Sequence, residues 1–555
     1  MNTLSRCCVA ALLATSLFSS VETHAQDVGE QLGTVRFAVR GEPAARAQVV
    51  RGVKLVHHMM YPEADRAFAR AAEIDPHCAF AWWGRAMTRI HPLWPDAPTP
   101  AEMKEAAEFV RTGLTLPGLG ARERAYLETL SVYFGEQATG DHPARLQALD
   151  DAWSRLAEAY PDDLDAGAFA ALFHLAPARF LPKDRSHRLQ LEAATELQRV
   201  LAQIPDHPGA QHYKIHAFDF PLLADRALEV CETYGGIAPD VPHALHMPTH
   251  IYTRRGLWEK SIEFNLRSAA AARRLGEAVG SLNGHYPHAL DYLAYAYLQR
   301  GEYQKAEEIR DRLATFHGPY STVQPAAMAF AFAAVPARCA LERRDWAAAA
   351  SLPLRQPVTF GWGRDYLNCD SITRFARALG AARQGQLEAA RQEIEALEQV
   401  RAQLAAGRQA AYWTRQAETQ VLAARAWVSF AEKRQGEAVE LMRRAVEIEA
   451  NSDKEAVTPG EVLPAGDLLG ELLLELQRYD EARSAFEAVL TSSPNRFNSL
   501  FGAGWAAEQA GEGATARIYY EQLSQVASSA DPGITRIDHA RRYLRSGPQL
   551  SLHVP

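Results

Sequence analysis

Two pairs of histidines carry the chemistry that this sequence offers. His212 and His216 stand four residues apart, and so do His246 and His250, each 34 residues after its counterpart. On a helix, residues i and i+4 lie one turn above the other on one face, so each pair presents two imidazoles to a common point. Neutral imidazole ligates first-row transition metals, and four such rings from neighbouring helices would form a site for zinc, copper or iron. The pairs lack the glutamate of His-Glu-x-x-His, since Tyr213 follows His212, so a metallopeptidase of that kind is not indicated. No nucleophile elbow, phosphate-binding loop or dinucleotide fingerprint accompanies them. The residues therefore argue for holding a metal more than for any particular reaction, and an enzymatic role stays open.

A separation of 34 residues is a structural period, and the elements that position the histidines repeat with it. The clearest unit carries Gly470, Leu473, Tyr479, Ala482, Phe486, Val489 and Pro494, and one period later stand Gly504, Ala516, Tyr520 and Leu523. Small residues let two helices approach, an aromatic ring fills the groove beside them, and proline stops the second helix. The same comb fits near the start, with Gly52, Ala64, Phe68, Ala71 and Pro76 leading to Trp82 and Trp83. Helix-favouring composition and scarce polar-apolar alternation exclude a β-repeat. These marks resemble the tetratricopeptide repeat, which implies an all-α, right-handed superhelical solenoid of about eight to ten helix-turn-helix repeats with a concave face.

In that superfamily the fifth and ninth residues of each repeat line the concave groove. The resemblance thus implies that His212, His216, His246 and His250 face the groove. A third unit, anchored by Gly301, puts His288 at the place equivalent to His243, and Asp291 and Tyr295 at the places of His246 and His250. Asp219, one turn beyond His216, is suited to orient an imidazole or to add an oxygen ligand. His243, His288, Asp219, Asp291 and Tyr295 are therefore further ligands or supports, and His285 closes the site from the preceding loop. The strings HYKIHAFD, PHALHMPTHIYTRRGLW and HALDYLAYAYLQRG also resemble a group of exported bacterial tetratricopeptide proteins. That resemblance implies fold and export, and brings no reaction with it. His57-His58, followed by Met59 and Met60, reads as packing between repeats ahead of a copper site.

Composition sets the remaining bounds. The 555-residue chain is 47% hydrophobic and 23% charged, the profile of packed helices, and its formal charge of −8 with no basic block argues against nucleic acid. Arg6, the apolar run Cys7 to Phe18 and the small-x-small site ending at Ala25 read as an export signal cleaved near Ala25, which implies a periplasmic or secreted product. No later apolar run reaches spanning length, because Pro325 and Pro336 bracket the best candidate. Expected divisions are a signal at 1–25, a repeat array at 26–320 carrying the histidines, a second array at 321–545, and a tail at 546–555. Cys78, Cys231, Cys339 and Cys369 form no Cys-x-x-Cys motif, and their pairing is open. Two functions compete: a metal site on the histidines, and a scaffold whose concave groove binds a peptide or protein partner.

Overall fold

The computed structural model describes residues 31–546, apart from 95, 182, 408–410, 453 and 456. The export signal at 1–25, its cleavage point near Ala25 and the tail beyond Ser546 lie outside the described residues. Within them the chain is all-helical, with 26 α-helices, three short 3-10 helices and a single isolated bridge between Leu282 and Tyr320. No helix among the described residues is long and apolar enough to cross a membrane.

The expected comb holds the helix pairs together. A Cβ on Gly470 would meet the Phe486 ring at 2.5 Å, and one on Gly504 would meet Tyr520 at 2.6 Å. Near the start, Phe68 fills the space that Gly52 and Gly84 leave, and there too a Cβ would fall within 3 Å of the ring. Only glycine allows a first helix to close on the aromatic of its neighbour at these places, which is why the small-aromatic spacing recurs. Helix packing by the same rule proceeds from Pro43–His57 to Thr535–Ser546. Pro336 does not end its helix, as its sequence position suggested; it lies inside Pro325–Glu342.

The array curls until its later repeats touch the turns of earlier ones. Trp258 Nε1 donates to the Asn495 carbonyl at 2.8 Å, Asn495 Nδ2 donates to Gly256 O at 3.2 Å, and the Asp531 amide donates to Gly301 O at 3.0 Å. The concave face is consequently enclosed. Its earlier repeats are covered by the connection between the helices Gln435–Ala450 and Ala465–Glu475, which lays Lys454, Thr458 and Gly460 across them. The segment before the helix Arg188–Leu201 meets the start of that connection: Lys183 Nζ donates to Ala450 O at 3.2 Å and Arg185 to Asn451 Oδ1 at 2.8 Å.

Candidate metal centre

Four neighbouring inner helices supply the histidines. Pro208–Phe218 carries His212 and His216; Pro242–His246 and Pro248–Arg254, parted only by Met247, carry His243, His246 and His250; His285–Gln299 carries His285 and His288. Proline opens Pro208–Phe218, Pro242–His246 and Pro248–Arg254 at a position whose N–H would find no helical partner. Apart from His216, which is half-buried, all these histidines are buried, with His212 fully enclosed.

The rings make two sets. Ligand nitrogens of His246, His250 and His288 all lie within 4.8 Å of one another, and those of His212, His216 and His243 do the same. The two sequence pairs do not meet at one point as the 34-residue equivalence implied; each pair gains a third histidine instead. The physical reason is the phase of the middle segment. At about 100° per residue, His243 and His250 lie on nearly the same azimuth, and His246 is turned about 40–60° away from them. His243 accordingly packs on His212, ring centroids 5.0 Å apart, and His246 on His288, 4.3 Å apart. The sets touch where His216 approaches His250 at 6.2 Å.

Hydrogen bonds fix which nitrogens are bare. Asn265 donates its amide to Ser261 O at 2.9 Å, so its Oδ1 faces His246 Nδ1 at 2.8 Å and must accept. Asp219 Oδ2 accepts from His250 Nδ1 at 3.0 Å. Both rings thus carry their proton on Nδ1, and their Nε2 lone pairs confront each other at 3.1 Å. His212 follows the same rule: its Nδ1 donates to the His57 carbonyl at 2.6 Å, and its Nε2 has no partner. His216 Nε2, both nitrogens of His243, His285 Nε2 and His288 Nδ1 are likewise buried without a partner. Orienting one nitrogen with a carboxylate, amide or carbonyl while leaving the other bare is how proteins prepare an imidazole for a metal.

Burial, reinforced by the neighbouring imidazoles, keeps these rings neutral. It pushes His212 down to about 3 and His285 to about 4, and holds His216, His243, His246 and His288 well below the ordinary histidine value. His250 is lowered by the same burial, against the pull of Asp219. Burial alone would raise Asp219, yet Lys454 and Arg254 hold it ionised, well below the usual carboxylate range. Arg254 Nε stands 2.8 Å and Lys454 Nζ 3.3 Å from its oxygens. Lys454 is itself pushed down to about 8 by burial.

A third buried group joins His57, Asp165 and His207. Here the protons are in the wrong place for a metal. His207 Nδ1 accepts from the Ala210 amide at 3.1 Å, so Nε2, the atom facing Asp165 at 3.4 Å, carries hydrogen. His57 is held at both ends, by Asp165 at 3.0 Å and the Tyr213 hydroxyl at 3.0 Å, and its carbonyl orients His212. His58 is equally satisfied, by the Tyr234 hydroxyl at 2.8 Å and Leu32 O at 3.3 Å, and Met59 and Met60 are buried beside it. This region is the wall behind the cluster.

Of the other residues read from the sequence, His243 and His288 join the rings, and Asp219 supports His250. Asp291 and Tyr295 do not: Asp291 pairs with Arg338, and the Tyr295 hydroxyl accepts from Arg496 Nη1 at 2.8 Å. The tyrosine that does lie among the histidines is Tyr292, whose ring centroid is 4.6 Å from His246 and 5.2 Å from His250. Sequence reasoning passed over it although it stands four residues after His288, the spacing that marked the histidine pairs. Asn265 and Lys454 gave no sequence signal at all. Cys78, Cys231, Cys339 and Cys369 are buried free thiols.

Residues 467–496 match the tetratricopeptide repeat family model. No curated protein matches the chain. Among solved structures, it is similar to the APC/C hetero-tetramer Cut9-Hcn1, at 12% identity and a TM-score of 0.31 over 91% of this chain and 96% of that one. It is also similar to yeast Tom70, at 10% identity and a TM-score of 0.27 over 90% and 95% of the two chains.

Proposed function

We propose that this chain, a tetratricopeptide-repeat solenoid, is an exported metal-binding protein that holds a transition metal ion on His246, His250 and His288. The observation that carries the reading is the pair of bare Nε2 atoms 3.1 Å apart. Two lone pairs at hydrogen-bonding distance repel unless a positive charge lies between them. A proton is a poor candidate for that charge, because burial and the adjoining rings disfavour an imidazolium here. A metal ion needs both nitrogens bare, and Asn265 and Asp219 hold them so. Tyr292, beside two of the ligands, bounds the site with a hydroxyl that donates to Thr458 O at 3.2 Å.

A peptide bound in the concave groove, the commonest use of this fold, would have to displace the Lys454–Gly460 connection from above the histidines. Metal binding needs no such rearrangement. The test is the metal content of protein purified without a histidine tag and offered zinc, copper and iron in turn. At least one ion per chain is expected, with one fewer in His246→Gln/His250→Gln; a wild-type chain that takes up none of the three overturns the reading.

A further inference from the structure

Seven imidazoles, six of them buried and His216 half-buried, are more than one ion can use, and their surroundings say something about charge. The first set, His246, His250 and His288, is complete in itself. His212, His216 and His243 repeat its design: three ligand nitrogens within 4.8 Å, one ring fixed through Nδ1 by a backbone carbonyl, and bare nitrogens on all three. Three nitrogens about 2 Å from a common ion stand roughly 3.5 Å apart, so small ring rotations bring either set to ligating distance. Among the described residues, no hydrogen-bond partner meets those atoms.

The charge surrounding both sets is not negative. All the rings are neutral donors. The carboxylate that hydrogen-bonds to them, Asp219, is already matched by Arg254 and Lys454, and with Glu461, which also faces those two cations, the count is two anions against two cations. Of the other buried carboxylates, Asp291 belongs to Arg338, and Asp165 faces His57 and His207 and touches neither set. A divalent ion would bring two uncompensated charges into a buried site, and the cost of burying charge grows with its square. A univalent ion brings the least. Copper(I) is the univalent first-row ion that imidazole binds.

Resting on the reading above, we propose that the histidines form a two-copper centre, each ion univalent, one on His246, His250 and His288 and the other on His212, His216 and His243. The sets are in contact through His216 and His250.

The test is anaerobic titration of the untagged, metal-free full chain with copper(I) against a chromophoric chelator, followed by competition with zinc at equal concentration. Expected are two copper ions per wild-type chain, and one in His243→Gln and in His288→Gln. The wild-type stoichiometry needs no variant, so a variant that fails to fold does not blunt the test. One copper per chain overturns the pair and leaves the single-metal reading standing; no metal of any kind overturns both. Two ions that are both lost in each single variant overturn the assignment of one set to each ion. Zinc displacing copper(I) at equal concentration overturns the univalent assignment.

Discussion

Two regions of the inner face bury polar side chains to the same depth and treat them in opposite ways. In the later repeats Arg496 is fully buried, donating to Glu342 Oε1 at 2.7 Å, to Asp467 Oδ2 at 3.0 Å and to the Tyr295 hydroxyl. The second oxygens of those carboxylates are met as well, Glu342 Oε2 by Asn498 at 2.7 Å and Asp467 Oδ1 by Ser499 at 2.5 Å. In the earlier repeats, equally buried imidazoles keep nitrogen after nitrogen without a partner. A closed network of this kind serves the fold by joining helices that are distant in sequence. Unsatisfied buried groups cost stability, and so many of them in one place are the atoms that the proposed ion would satisfy.

Acid breaks the comparison most severely. In the unfolded chain each histidine titrates near 6.5; in the metal-free folded chain His57 and His285 are held at about 4 and His58 and His212 at about 3, chiefly by burial. Below pH 6.5 the unfolded state binds protons that the folded state refuses, so stability falls as pH drops through that window and is unaffected above it. At pH 5 each of these four groups costs about 2 kcal/mol, or about 8 kcal/mol together, as much as a typical domain's whole stability. The Arg496 network has no such group; Glu342, held low by Arg496 and Arg344 against its burial, keeps its charge further into acid. Hydrogen exchange should open residues 208–254 before 465–509 as pH falls from 7 to 5. Equal protection of the two regions at pH 5 contradicts the argument.

The next largest effect comes from opening the closed network. Arg496→Ala leaves Glu342 and Asp467 buried without their cation, a loss of about 3–5 kcal/mol in denaturant unfolding. Metal uptake should be unchanged in whatever fraction stays folded. Metal itself supplies the third effect. At a hundredfold excess over its dissociation constant, an ion that binds only the folded chain adds about 2.7 kcal/mol. Thermal midpoints with and without copper should separate by that increment in the wild type and coincide once both sets are broken, in His243→Gln/His246→Gln; a double variant that retains the full metal-dependent shift places the ions elsewhere.

The legible part of this structure was the part that repeats. Gly470 against Phe486, and Gly52 against Phe68, are local packing rules restated every 34 residues, so spacing alone exposed them. The i,i+4 histidine pairs were visible for the same reason. Equivalence between repeats then misled where one helix changed phase. It selected Asp291 and Tyr295 on the continuous helix His285–Gln299, whereas the middle segment they were matched to is broken at Met247, and the ring that reaches the cluster is Tyr292. The groups that set the tautomers lay beyond any spacing rule. Asn265 is on the partner helix of its repeat, the His57 carbonyl is 155 residues before His212, and Lys454 is 235 residues after Asp219.

Lys454 yields the smallest effect and the sharpest, because its sign is opposite to the others. Its ammonium shares Asp219 Oδ2 with His250 Nδ1, at 3.3 and 3.0 Å. It therefore draws electron density from the group that makes His250 a good ligand, and adds a positive charge beside the proposed ion. Lys454→Met keeps the apolar stem that packs against the inner face and removes both effects. Arg254 remains on the other oxygen, so Asp219 stays ionised. Removing one charge at about 8 Å in a medium of effective dielectric about 20 is worth about 1–2 kcal/mol, a gain of roughly 5- to 30-fold in metal affinity. Chelator competition on the two proteins measures it directly. Tighter binding by the variant is what a cation centred on His250 requires; unchanged affinity would mean that the ion does not feel this lysine, and weaker affinity that the connection holds the site together by contact, not charge.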